Sequence, residues 1–473
     1  NLDVDGGTIK LDGNYPTGSN NVALGDTALD SVEAGGNENI AIGSKAGTAI
    51  TTGDNNVAIG SCSLLVNTTG YDNVGIGRRA LDANISGLAN VGIGSSALTA
   101  NTTANGNVGV GTCALFVNIT GANNVAVGSN SLAANTASGN TAVGNVSLRS
   151  NTTGINNTSV GQVSLCSNLG GNNGTAIGAC ALACNTTASH NTAVGHCALF
   201  TNTTGNSNVA VGCGALKVNE TAHDNTAVGK EALRQNTTGA ENTAIGKSAL
   251  DANTTASGNT AVGKSALTLN TTGGENTAVG QLAMCASTTG DANTAVGRLA
   301  LAKNTTADNN TAIGSQSLRC VVTGSDNTAV GSLALNKSTA SNSTAVGACA
   351  LRCNTTGTDN TAMGACALNL NSSGAFNSAF GYRSLDSSTS ASSNTAVGFH
   401  SMCKTTTGNN STAVGFCALG NNTTGATNNA FGHSALELNT TGDFNVAVGN
   451  KALEANTTAD FNTALGACSL ICN

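Results

Sequence analysis

The sequence has no tryptophan, one proline (Pro16) and only 3% aromatic residues. Charged residues make up 9% of its 473 residues, whereas an ordinary soluble domain has about 25%. The apolar 39% consists mostly of alanine, valine and leucine, and side chains of this size cannot fill the thick core of a globular enzyme. They can fill a thin core that is repeated many times. The composition therefore argues against the roughly three globular domains that the length alone would suggest.

Basic clusters and long hydrophobic runs are missing as well. The formal net charge of −7 is spread thinly along the chain, without the basic surface that nucleic acid binding requires. No apolar segment approaches the roughly 18 residues of a membrane span. The Gly-Ile-Gly segments near Gly75 and Gly92 are repeat positions, and no phosphate-binding lysine motif follows them. We therefore expect no nucleic acid partner, membrane span, cofactor, metal site or catalytic site.

What the sequence does contain is one pattern repeated 27 times, with a glycine that recurs from Gly25 to Gly466, mostly every 17 residues. The consensus N-T-A-V-G-x-x-A-L-x-x-N-T-T-G-x-x defines positions 1 to 17 of a coil. Seventeen residues are too few for a helical hairpin repeat, and the β-branched residues and Gly/Asn corners disfavour helix. The sequence predicts an all-β fold, a single long parallel β-solenoid (β-roll or β-helix) over 21–473. Residues 1–20 would form an N-terminal cap or joint.

Each position of the repeat has a predicted role. Position 4 is always apolar and position 9 is leucine or methionine in every coil except at Gly47, so we expect both to face the interior. Position 2 should share the face of position 4 and be half-buried. The small residues at positions 3 and 8 indicate close approach by another backbone, either the opposite wall of the coil or a neighbouring chain. Glycine at position 5 predicts a corner with positive φ or no room for Cβ, and asparagine at position 1 predicts a ladder of stacked amides.

The segment Asn21-Val-Ala-Leu-Gly25, with Ala28-Leu29 after it, resembles the head repeats of trimeric autotransporter adhesins. It is also similar to repeats of phage and other viral fibre proteins, and the resemblance covers 21–473. It implies a left-handed parallel β-roll that forms trimers through small residues. Positions 3 and 8 would then be the trimer seam. The 17-residue repeat is longer than the adhesin head repeat, which is a departure from that family.

Seventeen coils carry an N-glycosylation sequon at position 12, on a predicted exposed turn. A row of glycans along one edge is one interpretation; corner chemistry is the other, because Asn, Thr and Gly suit turns. The candidate glycosylation sites are Asn67, Asn84, Asn101, Asn118, Asn151, Asn185, Asn202, Asn219, Asn236, Asn253, Asn270, Asn304, Asn354, Asn371, Asn422, Asn439 and Asn456.

The sixteen cysteines fall mostly at positions 7, 10 and 11, and either of two pairing schemes would fit disulfides in an oxidising compartment. Pairs between adjacent coils would be Cys166 with Cys180, Cys184 with Cys197, Cys353 with Cys366, and Cys403 with Cys417. Pairs within one coil would be Cys180 with Cys184, Cys349 with Cys353, and Cys468 with Cys472. The remaining cysteines, including Cys62, Cys113, Cys213 and Cys285, would link chains or stay free. Buried free cysteine as a small apolar residue is the alternative to both schemes.

These patterns predict a non-enzymatic structural protein, a stiff extracellular filament or surface fibre that is glycosylated and stapled by disulfides. The alternative is the shaft of a phage or viral tail fibre, or of a bacterial adhesin, used for host attachment. The expected partners are other copies of the chain, joined end to end or side by side (a trimer by the resemblance), together with glycans. The expected location is outside the cell or at a cell or virion surface.

Overall fold

A computed structural model of the chain describes residues 18–472. This range contains β-strands and no helix, and the strands follow one another at the 17-residue spacing of the repeat. The prediction of an all-β parallel solenoid is confirmed. The predicted cap over 1–20 lies outside the described residues except for 18–20. The chain divides into two compact units, Asn1–Thr238 and Gly239–Asn473.

The first unit contains thirteen three-residue strands, one for each coil. They are β1 (Val22–Leu24), β2 (Ile40–Ile42), β3 (Val57–Ile59), β4 (Val74–Ile76), β5 (Val91–Ile93), β6 (Val108–Val110), β7 (Val125–Val127), β8 (Thr141–Val143), β9 (Thr158–Val160), β10 (Thr175–Ile177), β11 (Thr192–Val194), β12 (Val209–Val211) and β13 (Thr226–Val228). Each occupies positions 2 to 4 of its coil, where valine, isoleucine and threonine favour extended backbone.

The second unit contains fourteen strands of the same length and position. They are β14 (Thr243–Ile245), β15 (Thr260–Val262), β16 (Thr277–Val279), β17 (Thr294–Val296), β18 (Thr311–Ile313), β19 (Thr328–Val330), β20 (Thr344–Val346), β21 (Thr361–Met363), β22 (Ser378–Phe380), β23 (Thr395–Val397), β24 (Thr412–Val414), β25 (Asn429–Phe431), β26 (Val446–Val448) and β27 (Thr463–Leu465).

Within each unit, consecutive strands pair in parallel with every repeat position over its own copy. In β10 and β11, Thr175 pairs with Thr192 and Ile177 with Val194. The backbone amide of Thr175 donates to the carbonyl of Asn191 at 2.8 Å. Because the register is a whole repeat, every side chain stacks on the same position of the next coil. Rows of like residues along the stack follow directly from the 17-residue period.

Hydrogen bonds between coils continue outside the short strands. The amide of Leu182, at position 9, donates to the carbonyl of Ala198 at 3.0 Å, and the amide of Thr186, at position 13, donates to Thr203 at 3.1 Å. A turn closed by the amide of Ala181 and the carbonyl of Gly178, at 3.3 Å, links positions 5 and 8. The backbone of the whole coil is therefore tied to its neighbours, as buried peptide groups require.

The glycine at position 5 is required both because φ is positive there and because there is no room for a Cβ, as the sequence predicted. Gly195 has φ +135°, and a Cβ built on it would lie 2.6 Å from the carbonyl oxygen of Gly212 in the next coil. Gly297, in the second unit, has φ +137° and would meet the oxygen of Gly314 at 2.5 Å. No L side chain fits this corner without moving the adjacent coil, which explains glycine in all 27 copies.

The interior of each coil is filled by positions 3, 8 and 9. Ala193, Ala198 and Leu199 are each 0% exposed, so the prediction for position 9 is confirmed. A Cβ added to Gly92, at position 3, would lie 3.2 Å from Leu81 and 3.3 Å from a backbone oxygen. The small residues at positions 3 and 8 therefore face the interior of the solenoid, where the backbone of the same coil and the leucine of the adjacent coil leave no room for larger side chains.

The predicted interior location of position 4 is wrong. Along β10 and β11 the side chains of positions 2 and 4 point away from the core, and Ile177 is 41% exposed. The buried residue of every strand is the central alanine, glycine or serine. Strand side chains alternate between faces, and leucine at position 9 already fills the space inside. Only a small residue fits opposite it, so the larger apolar residue takes the outer face.

One coil shows how the thin core adjusts to a lost leucine. Gly47 occupies position 9 of the β2 coil, and a Cβ on it would lie 2.9 Å from Ile50 and 3.1 Å from Leu29. Ile50 is fully buried at position 12, where most coils have asparagine. The isoleucine therefore fills the volume that leucine fills elsewhere.

Candidate functional site

The feature that repeats along both units and faces solvent is the outer face, defined here as the side chains at positions 2 and 4. Position 4 is apolar in all 27 coils, although it points outward. No charged residue occurs at positions 1 to 5 of any coil. In the first unit, thirteen strands at about 4.8 Å spacing extend this face over roughly 60 Å, with two side-chain rows about 7 Å apart. The position-4 row is apolar throughout, and position 2 adds valine or isoleucine in eight of the thirteen strands and threonine in the other five. Monomeric proteins seldom leave so long an apolar row uncovered.

Part of the second unit adds aromatic rings beside the outer face, at position 6. Ring centroids are 5.4 Å apart for Tyr382 and Phe399, 5.2 Å for Phe399 and Phe416, and 5.1 Å for Phe416 and His433. The ring planes lie within 20° of parallel, so the ring faces cover one another and the edges meet solvent. Stacking of this kind stabilises neighbouring coils and leaves few ring faces for a flat ligand.

The prediction that the sequon asparagines lie on exposed turns is wrong. All seventeen candidate asparagines at position 12 are buried, sixteen of them within 1% of full burial and Asn185 at 2% exposure. The side-chain nitrogen of Asn202 donates to the carbonyl of Gly205 at 2.9 Å and to Oδ1 of Asn185 at 3.0 Å. Asn219 in turn donates to Oδ1 of Asn202 at 2.8 Å. These residues form a buried amide ladder, and both amide hydrogens of Asn202 are used within it.

Position 1 forms a second buried amide ladder. The backbone amide of Asn73 donates to Oδ1 of Asn56 at 3.1 Å, and the side-chain nitrogen of Asn73 donates to the carbonyl of Gly87 at 2.8 Å. The same carbonyl of Gly87 accepts from Asn84, at position 12, at 3.1 Å. Asparagines of both ladders therefore donate to the same position-15 carbonyl. These hydrogen bonds stabilise the turn that closes the coil.

Sequons on an exposed turn occur at position 17, which the sequence prediction did not include. Position 17 carries Asn-x-Ser/Thr in a few coils, and its side chains are exposed. These asparagines include Asn156, Asn173, Asn309, Asn342 and Asn410. A search of every asparagine for a hydroxyl residue two places on would have found them.

All sixteen cysteines are free thiols in this structure, and most are partly exposed. The predicted partners Cys184 and Cys197 stack on different parts of the neighbouring coils. The amide of Cys184 donates to the carbonyl of Phe200 at 3.1 Å, whereas the amide of Cys197 donates to that of Ala179 at 3.1 Å. Burial raises the pKa of the Cys184 thiol, and the nearby Cys166 and Cys180 add to this effect. Disulfide pairing stays a prediction.

The surface pockets among the described residues are open to solvent, and residues of adjacent coils line them. One of about 240 Å³ lies between His196, Cys197, Cys213, Lys217 and Glu231, among other residues. Within 18–472 no group of three or more His, Cys, Asp or Glu side chains could hold a metal ion. The same range has no helix that is long and apolar enough to cross a membrane.

Comparisons with known proteins give no further guide to the site. No protein-family model matches the chain, and a search of curated proteins finds no match to it. The outer face, the two amide ladders and the cysteine clusters therefore carry the functional argument.

Proposed function

We propose that the chain is a non-enzymatic structural protein whose coils associate with further copies of the chain through the outer face, forming a stiff extracellular filament or surface fibre. The observation that carries this proposal is the apolar residue at position 4 in all 27 coils, on the outward side of the strand. A residue needed only for the fold of one coil would face inward. An outward row so uniform is typical of a surface that is covered.

A second copy of the same chain is the occupant that fits this surface best. The outer face repeats once per coil, at about 4.8 Å, and only another stack with the same rise presents a matching row at every coil. The absence of charge at positions 1 to 5 means that two copies can approach without burying unpaired ions. The seam that the adhesin resemblance implied, at positions 3 and 8, is wrong for this chain because Ala193 and Ala198 are buried in their own coil.

The position-12 asparagines serve as structural amides in this proposal and carry no glycans. A glycan on Asn202 would replace a hydrogen that now bonds Gly205 or Asn185. It would also need space beside a fully buried atom. Sugar and folded coil exclude each other there. Location outside the cell, at a cell or virion surface, is supported by the resemblance to adhesin and viral fibre repeats.

One observation favours the alternative, the shaft of an attachment fibre. The aromatic residues Tyr382, Phe399 and Phe416 break the uniformity of the repeat in a few coils of the second unit. A dedicated contact zone for a host molecule would look like this. Replacing the three by serine would abolish binding to host cells and leave self-association unchanged if these coils make the attachment; loss of association alone would assign them to the filament.

The proposal is tested by placing charge on the outer face. The triple variant Ile177→Lys, Val194→Lys and Val211→Lys puts three lysines on solvent-facing positions of β10, β11 and β12. We expect the wild-type chain to associate in solution and the variant to sediment as a 46.0 kDa monomer with its β-sheet circular dichroism intact. Fresh charges in an apolar interface are costly to bury.

The matched control carries the same three charges in the same coils, at an exposed position outside the outer face. Thr187→Lys, Thr204→Lys and Thr221→Lys all replace exposed residues at position 14, and this variant should associate like the wild type. A wild-type chain that stays monomeric at high concentration would refute the proposal. So would an outer-face variant that associates as well as the control.

A further inference from the structure

Two cysteine sets with identical spacing occur in the chain, one in each unit. In the first, Cys180 and Cys197 both occupy position 7 of consecutive coils, and Cys184 lies at position 11 between them. The strands of these coils, β10 and β11, pair with a whole-repeat register of 17 residues. Cys197 therefore stacks directly on Cys180. The pairings predicted from the sequence joined Cys197 to Cys184, and Cys180 to either Cys166 or Cys184.

The backbone fixes this stacking at the cysteines themselves. The amide of Cys197 donates to the carbonyl of Ala179, the residue before Cys180, at 3.1 Å. Adjacent coils lie about 4.8 Å apart, and a disulfide needs a Cα separation of about 4.4 to 6.8 Å. Both cysteines are partly exposed, so a small oxidant can reach them.

The second unit repeats the arrangement. Cys349 and Cys366 occupy position 7 of consecutive coils, and Cys353 lies at position 11. Their strands, β20 and β21, pair in the same register, and the amide of Cys366 donates to the carbonyl of Ala348 at 2.9 Å. Two independent occurrences of one geometry are stronger support than either alone.

We propose that Cys180 with Cys197, and Cys349 with Cys366, are axial disulfide sites that join consecutive coils of the solenoid. Each pair of thiols loses two protons and two electrons as the sulfur–sulfur bond forms. Glutathione disulfide, or another small disulfide, accepts them: its own sulfur–sulfur bond breaks and two glutathione thiols result. The linkage closes a loop of one repeat and fastens one coil to the next along the stack.

The electrostatic surroundings of these thiols agree with their closeness. Burial raises the pKa of the Cys197 thiol, and interaction with Cys180 raises it further. Burial likewise raises the pKa of Cys366, with Cys349 as the next contribution. Because the thiolate is the reacting form, oxidation should be faster at pH 9 than at pH 7.

The test maps the linkages that form in the folded chain. The full chain is incubated with a glutathione and glutathione disulfide buffer, free thiols are alkylated, and linked peptides are identified by mass spectrometry after proteolysis. We expect linked peptides that join Cys180 to Cys197 and Cys349 to Cys366. Linkage of Cys197 to Cys184, or complete alkylation of Cys197 and Cys366, would overturn the proposal.

Matched variants separate axial pairing from general reactivity. Cys184→Ser should leave the link between Cys180 and Cys197 unchanged, whereas Cys180→Ser should abolish it without moving Cys197 to another partner. The same incubation in urea should give mixed pairings, because the coil register no longer selects partners. The same axial links in urea would show that sequence proximity, not the fold, determines them, and would refute the proposal.

Discussion

The two units use the same repeat but differ at position 12. In the first unit this position is asparagine in every coil from Asn67 to Asn236. In the second unit five coils replace it with serine, valine or threonine, at Ser287, Val321, Ser338, Ser388 and Thr405. Side-chain hydrogen bonds join this row without a break from Asn118 to Asn236 in the first unit, whereas other residues interrupt the row repeatedly in the second.

The interruptions leave buried oxygens without partners among the described residues. The affected atoms are the Oδ1 atoms of Asn270, Asn304 and Asn371, and in the first unit Oδ1 of Asn101 also lacks a partner, although the next coil carries asparagine. Each of the three in the second unit belongs to the coil just before Ser287, Val321 or Ser388, respectively. A buried polar atom without a partner costs about 1 to 3 kcal/mol. Since a stack of repeats is stabilised by intrinsic and nearest-neighbour terms, we infer that the ladder determines where a unit is locally weakest.

The largest expected effect tests a feature that the two units share. Gly195→Ala and Gly297→Ala each place a Cβ about 2.6 Å or less from a backbone oxygen, at a φ near +135°. We expect each to lower the free energy of unfolding of its unit by about 3 kcal/mol or more, because strain and overlap add. Urea unfolding checks this. Gly274→Ala, where the nearest atom is 3.3 Å away and φ is ordinary, should change stability by less than about 1 kcal/mol.

The next prediction compares the position-12 ladder of the first unit with that of the second. Asn202→Ala removes hydrogen bonds to Gly205, Asn185 and Asn219, and we expect a loss of about 3 kcal/mol, near 1 kcal/mol for each bond. Asn304→Ala removes its bond to the carbonyl of Ala307, while Oδ1 of Asn304 had no partner to lose. The expected loss there is about 1 kcal/mol. Equal losses in denaturant unfolding would contradict the comparison.

Restoring the ladder should stabilise the second unit. Val321→Asn replaces a fully buried valine and supplies a donor to Oδ1 of Asn304, which we expect to raise the free energy of unfolding by about 1 kcal/mol. In an ordinary core the change from valine to asparagine would cost more than about 2 kcal/mol. The sign of the change in unfolding midpoint therefore separates a ladder position from an apolar one.

The smallest effect concerns the half-buried thiols of Cys285 and Cys403 at position 10. Burial raises the pKa of Cys285 and of Cys403, so both should react several-fold more slowly with iodoacetamide at pH 8 than exposed Cys468. The raised pKa favours the folded state while the thiol is protonated. This contribution is complete below the usual thiol value of 9.0 and is lost as pH rises through the folded pKa. Equal alkylation rates would contradict the burial.

The sequence predicted the strand class, the repeat length and the glycine corner because each follows from periodicity. The prediction for position 4 was wrong because alternation along a strand shows only that positions 2 and 4 share a face opposite to position 3. It does not show which of the two faces points inward. Position 9 decides this: Leu199 fills the coil, so Ala193 must oppose it and Val194 must face out. Contacts between residues of different repeat positions, rather than composition, carry that information.

The asparagines were misassigned for a related reason. Asn202 matches a sequon, and turns with Asn, Thr and Gly are usually exposed. In a coil this thin, the side-chain amide of Asn202 points into the interior. There it donates to Oδ1 of Asn185 in the adjacent coil and to the carbonyl of Gly205 in its own coil. A sequence shows the row of asparagines but not the side on which the row lies.

The measurement that tests the account most directly is native-state hydrogen exchange of the intact chain, read coil by coil by mass spectrometry. Amides of the coils between Asn118 and Asn236, where the ladder is unbroken, should exchange with uniformly strong protection. Those of the coils with Ser287, Val321 and Ser388 should open with free energies lower by about 1 to 3 kcal/mol. Equal protection in both sets, or weaker protection where the ladder is continuous, would show that the buried amides do not govern the stability of the solenoid.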